Sequence, residues 1–290
     1  MTLKIPAGLA ASCAKSPERA AWLEHLPAVV RQLQSVWSLQ LGAPFDGDDV
    51  SCSYVAQAGC ADGTRAVLKI GMPHMEGAQE IAGLRFWQGD PTVRLLEADG
   101  AQNAMLLERC EPGAPLHSLP ESDRDLIVAT LLRRLWRTPA APHPFRPLAE
   151  MLTFWSNETL AAMDRWPDHG LVREGLRLFK DLPSSAPIEV LLATDLHAGN
   201  ILRAEREPWL VIDPKPFIGD PAYDATQHLD VFDRSGRLRR DPGRTIRNFA
   251  DLLGVDHERI RFWLFARAAA QPREDWTDKE VLQVARALAP

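Results

Sequence analysis

The sequence predicts an α+β fold of two lobes, with a small N-terminal sheet lobe and a larger, mainly helical C-terminal lobe. Segments of strand-like composition, bounded by turn signals, are concentrated before residue 110. Apolar residues at helical spacing dominate from residue 122 onward. Between these regions, Glu111-Pro112-Gly113 interrupts both patterns and marks a junction. We therefore divide the chain into lobes at residues 1–109 and 110–290, and a length of 290 residues is sufficient for both.

The N-terminal lobe is predicted to contain a helix, a strand pair, a second helix and a second strand pair. Ser16 followed by Pro17 is typical of a helix N-cap and first helical residue. Apolar residues then recur at helical spacing and predict a stripe that faces the core, namely Trp22, Leu26, Val29, Leu33 and Trp37. The segments that follow are strands at 51–58 and 64–70, a helix at about 76–87, and strands at 93–97 and 104–108. Asp62-Gly63 and Asp99-Gly100 indicate the turns.

The C-terminal lobe is predicted to be mainly helical from Ser122, with one or two further helices within residues 148–180. A short apolar run at 188–192 precedes a tight strand pair at 201–202 and 209–212. Helices resume after this pair, and Thr277 with Glu280 predicts a capping box for the last one.

The composition is that of a soluble globular protein, with 46% hydrophobic and 25% charged residues. The net charge of −6 argues against general nucleic-acid binding, because a negative surface repels phosphate backbones. No apolar run approaches the roughly 20 residues that cross a bilayer, so we expect no membrane partner. The four cysteines form no Cys-x-x-Cys pair and fit no zinc spacing, which indicates reduced thiols in the cytoplasm. The oligomeric state stays open.

The most informative segment runs from Thr194 to Lys215 and places Asp195, Asn200 and Asp213 around the predicted strand pair. Phosphoryl transfer needs a carboxylate that orients the acceptor hydroxyl and accepts its proton, oxygen ligands for Mg²⁺, and a cation on the nucleotide phosphates. Asp195 suits the first role. Asn200 and Asp213 offer hard oxygen ligands at the two ends of a tight strand pair, which brings them close together.

Each of these residues has an ordinary explanation when it is taken alone, because Asp and Asn are common in turns and at strand ends. The ordered set of Asp-x-x-x-x-Asn, apolar strand, turn, apolar strand and Asp is far more specific. His197 lies within the same loop. We expect it to hold the loop by hydrogen bonds rather than to act as a base, because kinase chemistry does not require a histidine.

The segment from Leu192 to Asp224 resembles the aminoglycoside phosphotransferases, and in particular the branch of streptomycin 6-phosphotransferases and hydroxyurea kinases. Two runs are distinctive of that branch, Asp213-Pro214-Lys215-Pro216 and Gly219-Asp220-Pro221-Ala222-Tyr223-Asp224. The resemblance is strong over about a tenth of the chain. It continues collinearly in Val67-Leu68-Lys69, Glu80 and Leu106-Leu107-Glu108-Arg109.

This resemblance implies a bilobal protein-kinase-like fold that binds ATP and Mg²⁺ in its cleft. Asp195 matches the catalytic aspartate, and Asn200 and Asp213 match the magnesium ligands. Asp224 would anchor the catalytic loop from the following helix.

The nucleotide-binding residues that the resemblance implies lie in the N-terminal lobe. Lys69 matches the lysine that binds the α- and β-phosphates, and Glu80 matches its partner. The backbone of the segment from Glu108 to Cys110 would meet adenine. A lysine in an apolar strand is costly to bury without such a partner. Glu76 lies one helical turn before Glu80 and is the rival partner on spacing alone.

The sequence departs from the family pattern in two places. Ala193-Thr194 precedes Asp195 where the family often has His-Gly, and we expect the Thr194 hydroxyl to supply part of the backbone positioning. No glycine-rich phosphate loop is visible at residues 51–54. The preference between ATP and GTP stays open.

The function that these residues predict is ATP- and magnesium-dependent transfer of the γ-phosphate to a hydroxyl of a small polyhydroxylated molecule. The resemblance favours an aminoglycoside such as streptomycin, and between Asp195 and Arg234 there are eight acidic and four basic residues, which favours a cationic substrate. Candidate substrate contacts are Asp230, Asp233, Glu274 and Asp275. The alternatives are a kinase of another small metabolite and a catalytically silent nucleotide-binding protein. A protein kinase is disfavoured, because Asp213-Pro214-Lys215 stands in place of Asp-Phe-Gly.

Overall fold

The computed structural model describes residues 3–46, 52–230, 236–273, 275 and 277–290. The chain divides into two compact units, of which the first comprises Met1–Ala114 with Arg203–Leu210 and the second comprises Pro115–Leu202 with Val211–Pro290. The predicted α+β fold is confirmed, with the main sheet in the first unit and most helices in the second. The return of Arg203–Leu210 to the first unit is not visible in the sequence.

The first unit is built on an antiparallel sheet, which has five strands within the described residues in the order β1-β2-β3-β5-β4. Its elements are α1 (Ala7–Cys13), α2 (Pro17–Val36), β1 (Gln40–Pro44), β2 (Ser53–Gly59), β3 (Arg65–Gly71), a 3₁₀ turn (Glu76–Gln79), α3 (Glu80–Trp87), β4 (Leu95–Asp99) and β5 (Ala104–Glu108). The side chains of α1 and α2 share one buried core with β2, β3 and β5.

Local sequence signals account for most of these boundaries. The Ser16 hydroxyl accepts a hydrogen bond from the Arg19 N–H at 3.3 Å and begins α2. The β2–β3 turn contains Gly63 at φ +87°, and the Asp62 carboxylate accepts the Thr64 N–H at 2.9 Å. Strand β1 has no comparable signal. Gly and Pro interrupt it, and it is an edge strand with an irregular register.

The remaining elements are mainly helical. They are α4 (Glu121–Leu135), α5 (Leu148–Ala161), α6 (His169–Ser184), β6 (Val190–Leu192), β7 (Ile201–Arg203), β8 (Trp209–Val211), β9 (Phe217–Gly219), α7 (Pro221–Leu229), α8 (Arg237–Arg240), α9 (Pro242–Leu253), α10 (His257–Ala270) and α11 (Lys279–Leu288), with 3₁₀ turns at Leu116–Ser118, Met163–Arg165 and Ala198–Asn200. Strand β6 pairs with β9, and β7 pairs with β8. With only three residues, β9 is too short to show a periodic pattern.

Helix α10 is the centre of the second unit and is buried over most of its length from Ile260 onward. From Trp263 to Ala270 its residues are apolar except for Arg267, because other helices pack around this part of α10. Its contact with α6 is close at Gly175, where an added Cβ would lie 2.8 Å from the Ala270 Cβ. Among the described residues, no helix is both long and apolar enough to cross a membrane.

The predicted capping box at Thr277 is wrong. Helix α11 begins one residue later, and its N-cap is Asp278, which accepts the N–H groups of Glu280 and Val281 at 2.9 and 3.3 Å. The Thr277 hydroxyl instead donates to Asp275 at 2.9 Å. A carboxylate at the N-cap also interacts favourably with the helix dipole, which a hydroxyl does not.

Candidate active site

The loop after β6 is anchored by a buried carboxylate from α7. Asp224 is fully buried and accepts the backbone N–H groups of Ala193 at 3.0 Å and Thr194 at 2.8 Å, and the Trp136 indole N–H at 3.0 Å. Burial raises the pKa of Asp224 to about 6, although these three hydrogen bonds and the charge of Arg267 oppose the rise. The residue thus fixes the start of the loop that carries Asp195.

The run from Gly219 to Asp224 explains how α7 is held in place. An added Cβ at Gly219 would lie 2.8 Å from the Leu148 Cβ, so the strand can pass α5 only with glycine there. Asp220 caps α7 by accepting the Ala222 N–H at 3.0 Å, and it also accepts the Trp263 indole N–H at 2.6 Å. These contacts tie the N-terminus of α7 to the central helix α10.

Thr194 occupies a conformation that is unusual for a β-branched residue, with φ +48°. The Asp195 N–H donates to the Ala193 carbonyl at 2.8 Å and closes a three-residue turn around it. Such a backbone costs about 1–3 kcal/mol and persists only where the surroundings hold it. Here the Thr194 hydroxyl donates to the Lys215 carbonyl at 2.6 Å, and the Gln227 side-chain amide donates to the Thr194 carbonyl.

Asn200 and His197 shape the loop after Asp195. The Asn200 side-chain amide donates to the Asp195 carbonyl at 2.9 Å, so its Oδ1 is the atom available for a ligand. The His197 Nδ1 accepts the Gly199 N–H at 3.1 Å, which is the loop-holding role that the sequence predicts.

Backbone hydrogen bonds bring the segments of Asp195, Asn200 and Asp213 together within the second unit. The Ile212 N–H donates to the Asn200 carbonyl at 2.9 Å, and the Lys215 N–H donates to the Ala193 carbonyl at 2.8 Å. Asp213 has φ +52°, and its carboxylate is paired with the Lys215 ammonium group. All three sequence-predicted catalytic and metal-binding residues of this unit therefore belong to one hydrogen-bonded pair of loops.

The donor set fits Mg²⁺. Asp213 offers a carboxylate and Asn200 an amide oxygen, and both are hard oxygen donors. Among the described residues, no group of three or more His, Cys, Asp or Glu side chains is arranged to hold a metal ion. Few protein ligands are what Mg²⁺ needs when nucleotide phosphates and water complete its shell.

The first unit contains a buried ion pair. The Lys69 ammonium lies 2.6 Å from both carboxylate oxygens of Glu80, and the two side chains are only 7% and 4% exposed. Glu80 is the first residue of α3, whereas Glu76 lies in the preceding 3₁₀ turn. The structure therefore pairs Lys69 with Glu80, the residue that the family resemblance indicates.

Glu108 is the last residue of β5, and Cys110 lies two residues after it. The Glu108 carboxylate accepts two hydrogen bonds from the Arg206 guanidinium, both at 2.9 Å, and the Arg94 N–H at 2.9 Å. Burial alone would raise the pKa of Glu108, but these hydrogen bonds outweigh it and hold the pKa below its usual value. Burial also raises the pKa of Cys110 to about 12, so its thiol stays protonated at neutral pH.

Several residues around these groups are not indicated by the sequence. Arg206, in the loop between β7 and β8, also donates to the carbonyls of Gly89 and Thr92 at 2.9 Å. Arg267 is almost completely buried and donates to Gln227, which in turn holds Thr194. The sequence indicates a charged turn at Glu205-Arg206-Glu207, but it does not indicate which residues Arg206 contacts.

Two of the four candidate substrate contacts, Asp230 and Asp275, belong to the described residues. Asp233 and Glu274 lie outside the described residues, as does Ser51 of the expected phosphate loop. Asp230 is the C-cap of α7 at φ +55°. Asp275 accepts both the N–H and the hydroxyl of Thr277 at 2.9 Å.

The fold is the protein-kinase-like fold that small-molecule kinases share. Choline kinase LicA from Streptococcus pneumoniae superposes with a TM-score of 0.64 and 12% identity, covering 91% of this chain and 99% of that one, which shows the shared fold.

The sequence matches the profile of aminoglycoside/hydroxyurea antibiotic resistance kinases over residues 40–275, and the chain belongs to this family. It is 38% identical to streptomycin 6-kinase of Streptomyces glaucescens over 91% of this chain and 88% of that protein. It is 35% identical to hydroxyurea phosphotransferase of Kitasatospora aureofaciens over 92% of this chain and 78% of that protein.

Proposed function

We propose that this kinase transfers the γ-phosphate of ATP to a hydroxyl group of an aminoglycoside, with streptomycin as the favoured acceptor. The observation that carries the proposal is the pair of hydrogen-bonded loops that hold Asp195, Asn200 and Asp213, in a chain 38% identical to a streptomycin 6-kinase. We place the reaction in the cytoplasm, where ATP is available and where the free thiols of Cys13, Cys52, Cys60 and Cys110 stay reduced.

In this reaction Asp195 orients the acceptor hydroxyl and accepts its proton. The hydroxyl oxygen forms a bond to the γ-phosphorus, and the bond between that phosphorus and the β–γ bridging oxygen breaks, so ADP leaves. The Asn200 Oδ1 and the Asp213 carboxylate would hold Mg²⁺, which would supply neutralisation of charge on the phosphate oxygens.

The first unit provides the nucleotide contacts. Lys69 binds the α- and β-phosphates, and its ion pair with Glu80 keeps the ammonium group in one position. The backbone from Glu108 to Cys110 contacts adenine. The Glu108 side chain takes no direct part, because Arg206 and the Arg94 N–H occupy both of its oxygens.

Hydroxyurea is the second candidate acceptor, because a relative with 35% identity is a hydroxyurea phosphotransferase. The two acceptors differ in charge. Streptomycin carries guanidinium groups, whose attraction to carboxylates weakens with salt, whereas hydroxyurea is neutral.

The test is nucleotide turnover by the full chain with streptomycin, other aminoglycosides, hydroxyurea and neutral polyols, followed by mapping of the phosphorylated position by mass spectrometry and NMR. We expect turnover with streptomycin and a KM for it that rises with salt. Asp195→Asn should lower kcat by about 10²–10⁴-fold while nucleotide affinity is retained. Phosphorylation of a neutral polyol but not of streptomycin would overturn the aminoglycoside assignment, and near-normal turnover by Asp195→Asn would remove Asp195 from the mechanism.

A further inference from the structure

Thr194 lies directly before the proposed catalytic Asp195 and is 5% exposed. Each of its polar groups is hydrogen-bonded. Its N–H donates to Asp224 at 2.8 Å, its carbonyl accepts from Gln227, and its hydroxyl donates to the Lys215 carbonyl at 2.6 Å. The residue is thus held through its backbone from α7 and through its side chain from the loop that follows β8.

The hydrogen bond from the Thr194 hydroxyl to the Lys215 carbonyl requires a hydroxyl side chain, whereas the two backbone contacts do not. A φ of +48° favours glycine, which adopts it without steric cost, whereas a β-branched residue does not. A glycine would also keep both backbone contacts, but it has no hydroxyl for Lys215. At this φ, the hydroxyl bond to the Lys215 carbonyl is therefore the contact that threonine makes and glycine cannot.

The hydroxyl bond has a reciprocal partner. The Lys215 N–H donates to the Ala193 carbonyl at 2.8 Å, while the Thr194 hydroxyl donates to the Lys215 carbonyl. Ala193-Thr194 immediately precedes Asp195, and Lys215 lies two residues after Asp213. Two hydrogen bonds thus join the segment next to Asp195, which we assign to the acceptor hydroxyl, to the segment next to Asp213, which we assign to the metal.

We propose that Thr194 is a positioning residue for the phosphoryl transfer, and that its hydroxyl acts by locking the loop of Asp195 to the loop of Asp213 through Lys215. This inference rests on the proposed function, because it takes Asp195 and Asp213 to act in the phosphoryl transfer. Turnover depends steeply on the placement of reacting groups, so loss of this lock should affect kcat far more than nucleotide affinity.

The test compares three substitutions at one position in the full chain. Thr194→Ser retains the hydroxyl and should keep kcat within about threefold of wild type. Thr194→Val retains the shape without the hydroxyl, and Thr194→Gly relieves the backbone strain without the hydroxyl. We expect both to lower kcat by about 10–100-fold with little change in the KM for ATP. Wild-type kcat in Thr194→Gly or Thr194→Val would overturn the proposal.

The matched control is Thr159→Val. The Thr159 hydroxyl is also buried and also donates to a backbone carbonyl, that of Ala270 at 2.8 Å, but it lies on α5 and outside the proposed site. We expect this variant to lose stability as Thr194→Val does and to retain kcat. An equal fall in kcat for both variants would show that lost stability, and not positioning, explains the effect.

A double substitution keeps the proposal testable if Thr194→Val is only partly folded. If Thr194 acts through Asp195, then Thr194→Val should cause no further loss of kcat per folded molecule in the Asp195→Asn background. Additive losses would overturn the proposal. The ratios of variant to wild-type kcat are measured in whichever transfer the wild type performs, including ATP hydrolysis. Absence of turnover with streptomycin would therefore contradict only the acceptor assignment. A wild type that turns over no ATP at all would defeat both.

Discussion

At the scale of single residues, two buried ionisable side chains, Lys69 and Asp224, each have identified partners. Lys69 has Glu80, and Asp224 has three N–H donors. Burial disfavours the charged form of both groups. Both also lie beside residues that we assign to catalysis or nucleotide binding. Variants of Lys69 and Asp224 can separate the effect of each residue on stability from its effect on turnover.

Lys69→Met should lower both stability and turnover. It leaves the Glu80 carboxylate buried without its cation, which costs about 3–5 kcal/mol. The double variant Lys69→Met/Glu80→Gln removes both charges and should recover much of the unfolding free energy, as measured by urea denaturation. Its kcat should stay at least about 10²-fold low, because the phosphates have lost their lysine. Full activity of the double variant would exclude Lys69 from phosphate binding.

Asp224 should give stability a distinctive pH dependence. Burial raises its pKa from 3.8 to about 6, so between these values the folded state binds more protons than the unfolded state. The contribution of Asp224 to unfolding free energy therefore falls as the pH rises from about 4 to about 6, and is constant above. The difference between wild type and Asp224→Asn in urea denaturation should fall by up to about 3 kcal/mol over that range. A difference that is flat or rises with pH would contradict the raised pKa.

At the scale of elements, short segments connect the proposed catalytic groups to larger structures. The loop between β7 and β8 carries Arg206, which binds the end of β5 through Glu108 and the α3–β4 connection through two carbonyls. Asn200 directly precedes β7, and Asp213 lies two residues after the end of β8. The segment that joins Asn200 to Asp213 along the chain therefore also holds Glu108 at the end of β5.

Arg206→Met should destabilise the protein by about 2–3 kcal/mol, because it removes a partly buried bidentate pair and two bonds to carbonyls. Arg177 is the matched control. It also forms a bidentate pair, with Glu174 at 2.5 and 3.0 Å, but on the exposed surface of α6. Arg177→Met should shift the urea midpoint far less than Arg206→Met does, because exposed ion pairs contribute little to stability. Equal shifts of the urea midpoint for the two variants would show that the Arg206 contacts are no more than surface ion pairs.

At the scale of the whole molecule, the residues that we assign to nucleotide and metal binding are divided between the two compact units. Lys69 and the segment after β5 belong to the first, whereas Asn200 and Asp213 belong to the second. Any ligand that binds only the folded state stabilises it by mass action, and saturation at about 100 times Kd corresponds to about 2.7 kcal/mol. The difference in unfolding midpoint between ATP with Mg²⁺ and ATP alone therefore measures how much Mg²⁺ adds to nucleotide binding.

ATP should raise the unfolding midpoint of the wild type more in the presence of Mg²⁺ than in its absence. Asp213→Ala should abolish most of this magnesium-dependent increment, and Asn200→Ala should lose less, because a carboxylate brings charge as well as an oxygen. Thermal unfolding with ATP, with and without Mg²⁺, measures the increment, and calorimetric titration checks it. The same magnesium dependence in wild type and Asp213→Ala would contradict the assignment of Asp213.

The sequence by itself determined the fold class, the Ser16 cap, the turn at Asp62-Gly63 and the set of Asp195, Asn200 and Asp213. These depend on composition, periodicity or close spacing, and such signals are carried by neighbours along the chain. Their catalytic and metal-binding roles stay predictions until turnover is measured.

Only the tertiary structure decided which glutamate pairs with Lys69, which residue Arg206 contacts and where the Thr194 hydroxyl bonds. Arg206 and Glu108 are 98 residues apart, and Thr194 and Lys215 are 21 apart. Spacing alone left both Glu76 and Glu80 open as the partner of Lys69, and the family resemblance favoured Glu80. The packing of α3 against β3 shows that Glu80 makes the pair. Contacts of this kind form when separate elements pack together, and no local pattern specifies the side chain that each one meets.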